Sequence, residues 1–235
     1  MANGPDGARW IDVDPERLAG WLESFEQRHG AGSADASPDA VTFRAADGAV
    51  AECHVPFPPL ADAHAEGHAD SVTRQAATPS RAEWGERMAA HARAERVVAV
   101  FLVRLGGYAA GVFTGPVPRL AASKVGSRLV HGRSAAGGTS QHRFARRREK
   151  QSAEALGAAA ATAAAVFGPY AGRIDALVLG GDRRAMAVLR DDPRLTPYLG
   201  LAVERFLTVP DPRLTVLRSA PRLFRAIRIR LTGPA

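Results

Sequence analysis

The sequence predicts an α/β protein: a mixed β-sheet flanked by helices, preceded by a small N-terminal α+β unit. Three observations lead there. From Val97 onward, short runs rich in β-branched and apolar residues alternate with helix-like stretches, the order expected of a sheet covered by helices. One of those stretches, His142 to Phe167, is long and Ala-rich, with Ala155, Ala159, Thr162 and Val166 at helical spacing, a face small enough for close packing. Nearer the start, Asp47-Gly48 stands between two apolar-polar runs, and this pair tolerates the positive φ of a hairpin turn.

Taken in order, Asp14-Pro15 reads as a helix N-cap and first helical position, followed by Leu18, Trp21, Leu22 and Phe25 at i, i+3, i+4 and i+7. That helix ends near Gly30. Residues 41–44 and 50–55 are the two hairpin strands, and Pro56, Pro58 and Pro59 terminate the second. The stretch 61–80 lacks periodicity and reads as a linker or mobile loop. A helix at about 80–95 follows. Residues 97–105 and 108–113 form a second pair of strands around Gly106-Gly107. This Gly-Gly is no dinucleotide fingerprint, because such a loop must open a helix and here a strand-like run follows it to Gly115-Pro116. Gly168-Pro169 closes the long helix. Beyond it come a buried strand at 176–179, a helix at 183–191, a strand at 203–209, a helix at 212–220 after Asp211, and a final strand at 226–231. In that last strand Ile227, Ile229 and Leu231 alternate with Arg228 and Arg230, the period of a half-buried strand. The expected organisation is a small unit at 1–60, a linker at 61–80 and a larger domain at 81–235.

Composition narrows the function classes. With 46% hydrophobic and 23% charged residues among 235, the chain belongs with globular proteins rather than disordered ones. A single cysteine, Cys53, excludes an intrachain disulfide and a multi-cysteine zinc site, as expected of a reducing compartment. No apolar stretch long enough to span a membrane occurs, and the first residues lack the basic and apolar regions of a signal peptide. A cytoplasmic protein with no membrane partner is expected. His64 and His68 stand four apart, as metal ligands on a helix do, but no third ligand accompanies them, so a solvated loop is the simpler reading and no metal or other cofactor is expected.

Charge is concentrated in one place. Between Lys124 and Gln151 lie eight basic residues and one acid, Glu149, so this segment holds the whole formal +7 of the chain and the rest sums to zero. Only Lys124 and Lys150 of the 31 basic residues are lysine, and both fall here. At its centre is Gly137-Gly138-Thr139-Ser140-Gln141, bracketed by Lys124, Arg128, His131 and Arg133 before it and His142, Arg143, Arg146, Arg147, Arg148 and Lys150 after it. Consecutive glycines permit left-handed turns and close approach to a ligand. The Gln amide offers an acceptor and two donors without charge, enough to hold a water. Guanidinium groups match phosphate, and such contacts act through counterion release. Arg143, Arg147 and Lys150, at i, i+4 and i+7, share one side of the helix start. The pattern points to a nucleic-acid target with a reactive centre. A Ser-His-Asp triad through Ser140 and His142 is the competing chemistry, but the second glycine of a nucleophile elbow is missing. A further acid-free run, Arg213, Arg218, Arg222, Arg225, Arg228 and Arg230, reads either as an RNA contact or as the wet face of an edge strand.

The block from His131 to Arg148, with Gly137-Gly138 and Gln141 ahead of Arg143-Phe144-Ala145-Arg146-Arg147-Arg148, resembles the catalytic loop and following helix of the archaeo-eukaryotic release-factor middle domain. The three residues Ser134-Ala135-Ala136 and the basic helix resemble most the bacterial, Vms-like branch. In that family a Gly-Gly-Gln tip precedes an Arg-Phe-x-Arg-x-Arg helix start. Aligning Arg143-Phe144 with the family's Arg-Phe puts Thr139 at the family's Gln position, with Gln141 two residues later. The Gly-x-x-Gln spacing of the Vms-like branch carries the catalytic role to Gln141, with Thr139 as the alternative register. In recognisable letters the resemblance covers Lys124 to Gln151, and in order of elements roughly residues 96–231.

What the resemblance implies is a peptidyl-tRNA hydrolase that frees nascent chains from stalled ribosomes. Gly137, Gly138, Thr139 and Ser140 would form the tip with Gln141, and the basic residues on either side would hold rRNA or tRNA phosphates. Its partners would be the large ribosomal subunit, peptidyl-tRNA and rRNA. Two alternatives stay open at this level: a non-catalytic ribosome- or RNA-binding module, and a nuclease acting on the tRNA 3′ end.

Overall fold

A computed structural model describes residues 8–61, 79–104, 106–127 and 140–234, and for residues 140–148 it describes the backbone alone. Its described strands fall into two five-stranded sheets, each at the centre of a compact unit. Residues 1–94 and 222–235 make the first unit, and residues 95–221 make the second.

The first unit is an antiparallel sheet with two helices on one face. Strand β1 (Arg9–Val13) leads through a short 3-10 turn into helix α1 (Leu18–His29). Leu18, Leu22 and Phe25 face inward from α1, which stops at Gly30, whose φ of +82° a side chain would resist. Strands β2 (Ser33–Ala36), β3 (Ala40–Arg44) and β4 (Val50–His54) follow. Between β3 and β4 the turn forms as expected, with Gly48 at φ +88° and Asp47 Oδ1 accepting from the Ala49 amide at 2.9 Å. Helix α2 (Arg81–Arg93) opens on a capping box: Ser80 Oγ accepts from the Glu83 amide while the Glu83 carboxylate accepts from the Ser80 amide, relieving two orphan donors at once. Trp84, Met88, Ala89 and Ala92 of α2 join Leu18, Leu22, Phe25, Val41, Phe43, Ile227 and Ile229 in a single core.

The second unit has the order β7-β6-β5-β8-β9. Strands β5 (Val98–Arg104), β6 (Gly107–Thr114) and β7 (Arg119–Ser127) form an antiparallel meander with β7 at the edge. Helix α3 (Ser140–Phe167) then returns the chain to β8 (Ala176–Gly181), which lies parallel to β5. Helices α4 (Arg183–Leu189) and α5 (Thr196–Leu199) lead to β9 (Ala202–Leu207), parallel to β8. Ala159, Ala160 and Ala163 of α3 pack with Phe101, Val103, Ala110 and Val112 of the sheet, and their small side chains let the helix lie close to it. Phe167 closes that core, edge-on to both Phe101 and Tyr198. The predicted face of α3 is observed, with Ala159, Thr162 and Val166 all buried.

Helix α6 (Leu214–Arg225) and strand β10 (Ile227–Thr232) end the described chain. The mixed sheet expected at 81–235 is present, but the boundaries 1–60, 61–80 and 81–235 differ from the observed division in two ways. Helix α2 belongs to the first core because its apolar face completes that of α1. Strand β10 hydrogen-bonds to β1 on one side and β4 on the other, so it is an interior strand and not the edge expected. Its arginines are engaged within that sheet: Arg228 lies 4.4 Å above the Trp10 ring and Arg230 Nη1 is 3.4 Å from Glu52 Oε2. Most of the expected linker, 62–78, lies outside the described residues, and with it His64 and His68. No helix among the described residues is long and apolar enough to cross a membrane.

Candidate functional site

The basic segment begins in one element of the second unit, edge strand β7, and ends in another, helix α3. In β7 the register opposite β6 pairs Ala122 with Val112, Lys124 with Ala110 and Gly126 with Tyr108. Ala110 and Val112 belong to the core that α3 covers, and directly opposed residues share a face. Lys124 therefore sits on the helix-bearing face of the sheet, where it is exposed. Gly126, one pair further along that face, lies under Tyr108: a Cβ built on it would collide with the ring's Cζ and hydroxyl oxygen. Neither residue stood out in the sequence. The readable signal was only a tyrosine just after Gly106-Gly107 and an isolated glycine in a polar strand.

On the other side, α3 carries the basic run. Gln151 and Ser152 are half-buried, while Glu149 and Lys150 are exposed. The helix is thus anchored by its later turns, with about 27 Å of axis between Ala159 and Gln141 at 1.5 Å per residue. Its continuity preserves the expected i, i+4, i+7 relation of Arg143, Arg147 and Lys150. It also corrects one expectation. Ser140 and Gln141, expected in the loop tip, are helical, since neither residue type stops a helix from extending ahead of His142. Ser140 and His142 are two residues apart on this helix, a spacing at which residues do not face each other, so the triad reading loses its basis.

Arg128, His131, Arg133, Gly137, Gly138 and Thr139 lie outside the described residues, and His142, Arg143, Arg146, Arg147 and Arg148 are described in backbone only. The structure thus brings together Lys124, Tyr108, Gly126 and the flank of α3, and leaves the choice between Gln141 and Thr139 where the sequence left it.

Beside α3 a cavity of about 300 Å³ opens between the ends of β5 and β8, lined by Tyr108, Ser152, Leu156, Asp182, Arg184 and Val188 among others. Its walls are mainly apolar. The Asp182 carboxylate is already engaged, accepting from the Arg184 and Ala185 amides at the start of α4. Gly181, at φ +101°, lies so close to the backbone of Val103 that a Cβ would run into its carbonyl oxygen, which makes the seam between β5 and β8 tight. Among the described residues no group of three or more His, Cys, Asp or Glu is placed to hold a metal ion.

Comparison with known proteins gives a match to a family model and matches to solved structures. A family model described as "Actinobacteria/chloroflexi VLRF1 release factor" matches residues 96–230. A solved structure titled "Vms1 mitochondrial localization core" aligns over 94% of this chain and 83% of its own, at 11% sequence identity and a TM-score of 0.37. No curated protein matches.

Proposed function

The chain belongs to the Actinobacteria/chloroflexi VLRF1 release factor family, and from that premise we propose that it is a peptidyl-tRNA hydrolase that frees nascent chains from stalled ribosomes in the cytoplasm. The observation that carries this reading is the continuous helix from Ser140, which puts the basic run His142 to Lys150 directly after the Gly-Gly segment and inside the family match.

In the proposed reaction the segment from Gly137 to Gln141 enters the peptidyl-transferase centre of the large subunit. Gly137 and Gly138 allow the backbone to come close to the ester, with Thr139 and Ser140 completing the polar stretch. The Gln141 amide positions a water whose oxygen attacks the ester carbonyl carbon. The bond from that carbon to the ribose oxygen breaks, the ribose oxygen leaves as the tRNA hydroxyl, and the peptide departs with a free carboxyl group. A backbone N–H near the tip stabilises the oxyanion of the tetrahedral intermediate, a kind of donor worth about 3–4 kcal/mol in other enzymes. Lys124, Arg128, His131, Arg133, His142, Arg143, Arg146, Arg147, Arg148 and Lys150 hold rRNA or tRNA phosphates, which fixes position without reading sequence. The ribosome supplies most of the orientation of ester and water.

The test is to incubate the protein with stalled ribosomes carrying labelled peptidyl-tRNA and recover both products. Free peptide together with tRNA of full length, abolished by Gln141→Ala while large-subunit binding persists, is the expected result. A shortened tRNA would identify a nuclease, and unchanged peptidyl-tRNA a binding module. If Gln141→Ala releases peptide at the wild-type rate and Thr139→Ala does not, Thr139 holds the catalytic register.

A further inference from the structure

Tyr108 and Gly126 occupy a position that neither the family match nor the basic run accounts for. They are directly opposed across β6 and β7, and Gly126 is separated from the end of β7 only by Ser127. The Tyr108 ring lies across Gly126 so closely that any side chain there would collide with its phenol end. The ring also packs against the core that α3 covers and shares the cavity wall with Ala155, Leu156 and Ala159. One ring therefore lies over the end of β7 and packs against the core that α3 covers. A Cβ at Gly126 could be accommodated only by displacing the ring from its place over the strand or by moving the end of β7. Edge strands bearing glycine pair weakly, because glycine contributes no side-chain packing and an edge has hydrogen bonds on one side only. An aromatic side chain laid over such a glycine restores that packing and fixes the register.

We propose that Tyr108 is a positioning residue for peptide release: by holding Gly126 on the helix-bearing face of the sheet it fixes where β7 ends relative to α3, the helix that follows the catalytic glycines. This rests on the release reading given above. The ring does the work, by packing over Gly126 and against the core, and the hydroxyl is dispensable. Tyr108→Phe is then functionally silent, whereas Tyr108→Ala and Gly126→Ala both release the clamp.

Two measurements separate this proposal from the reading it rests on. In the purified protein, NMR of Gly126 selectively labelled against the other glycines should show its α-protons shifted upfield by the ring. The shift should survive Tyr108→Phe and vanish in Tyr108→Ala. In peptide release on stalled ribosomes, Tyr108→Ala and Gly126→Ala should lower the rate at saturation at least tenfold with ribosome affinity within twofold of wild type, and Tyr108→Phe should restore it. An unshifted Gly126 overturns the clamp, whether or not the protein releases peptide. A shifted Gly126 with full release by Tyr108→Ala overturns its positioning role, as does a variant whose affinity and rate fall in parallel with its thermal stability. If wild type releases no peptide while Gly126 is shifted, hydrolysis fails as the function, the positioning role falls with it, and the clamp stands as a structural feature only.

Discussion

Replacing Lys124 and Lys150 together with glutamine should weaken binding to the large ribosomal subunit and flatten its dependence on salt. Both side chains are exposed, so the double variant should keep its fold, with stability within about 0.5 kcal/mol of wild type. Glutamine is preferable to glutamate because Glu154 stands four residues beyond Lys150 on α3, and a like-charge pair at that spacing adds its own cost of about 0.2–0.5 kcal/mol. Each phosphate that is no longer neutralised changes the slope of log affinity against log salt by roughly 0.7–0.9. Two such phosphates therefore change it by about 1.6, and over a rise from about 50 to about 200 mM salt the affinity gap between wild type and variant should narrow about ninefold. Sedimentation or fluorescence binding at four salt concentrations would measure both slopes. Parallel lines of equal affinity would refute the reasoning, since Lys124 and Lys150 would then be solvated surface and docking would need another face.

Three other outcomes follow from the structure and the proposed chemistry. Gly138→Val should abolish peptide release with stability changed by no more than about 0.5 kcal/mol, checked by release assay and thermal melt, because a β-branched residue denies the backbone positive φ and close approach. Cys53 is fully buried between β3 and β10, and burial first, then the neighbouring Glu52 charge, pushes its thiol far above the ordinary range. It should therefore resist a thiol-specific reagent in the native protein and react only as the first unit unfolds, so its modification rate should track denaturant. The Asp47 carboxylate is held below the ordinary aspartate range, first by the Ala49 amide and then by His29 Nδ1 at 2.9 Å. Because the folded value is depressed, the stabilisation is complete above the unfolded value and disappears as pH falls through the folded one. Denaturant midpoints of wild type and Asp47→Asn should accordingly differ at neutral pH and converge in acid.

Much of the fold was legible because local signals agreed with the tertiary result. The Asp47-Gly48 turn and the small-residue face of α3 each specify their own structure from within a few residues. What the sequence hid depends on distant partners. Strand β2, Ser-Ala-Asp-Ala, has no β-branched residue and exists because β3 lies beside it. Strand β7 is nearly all small or exposed, and its pairing with β6 is what makes it a strand. Strand β10 was visible as a strand, but nothing in Ile-Arg-Ile-Arg-Leu says that its neighbours are β1 and β4. For the site, glycine, charge and helical spacing could be read directly. The Tyr108–Gly126 packing could not, because the two residues are joined only by strand register.

Strand β10 also bears on how the protein is made. Its partners in β1 and β4 emerge from the ribosome early, yet the strand that must lie between them is synthesised only after the whole of the second unit. The second unit closes on itself and can fold as it emerges. Until Ile227–Thr232 arrives, the first sheet stays open, with the facing edges of β1 and β4 unpaired. A copy whose synthesis stops before Ile227 would thus hold the complete basic segment on a domain whose companion sheet is missing the strand between β1 and β4. For a member of a release factor family, an interruption of its own synthesis yields a product with exposed strand edges, a form open to aggregation and to proteolysis.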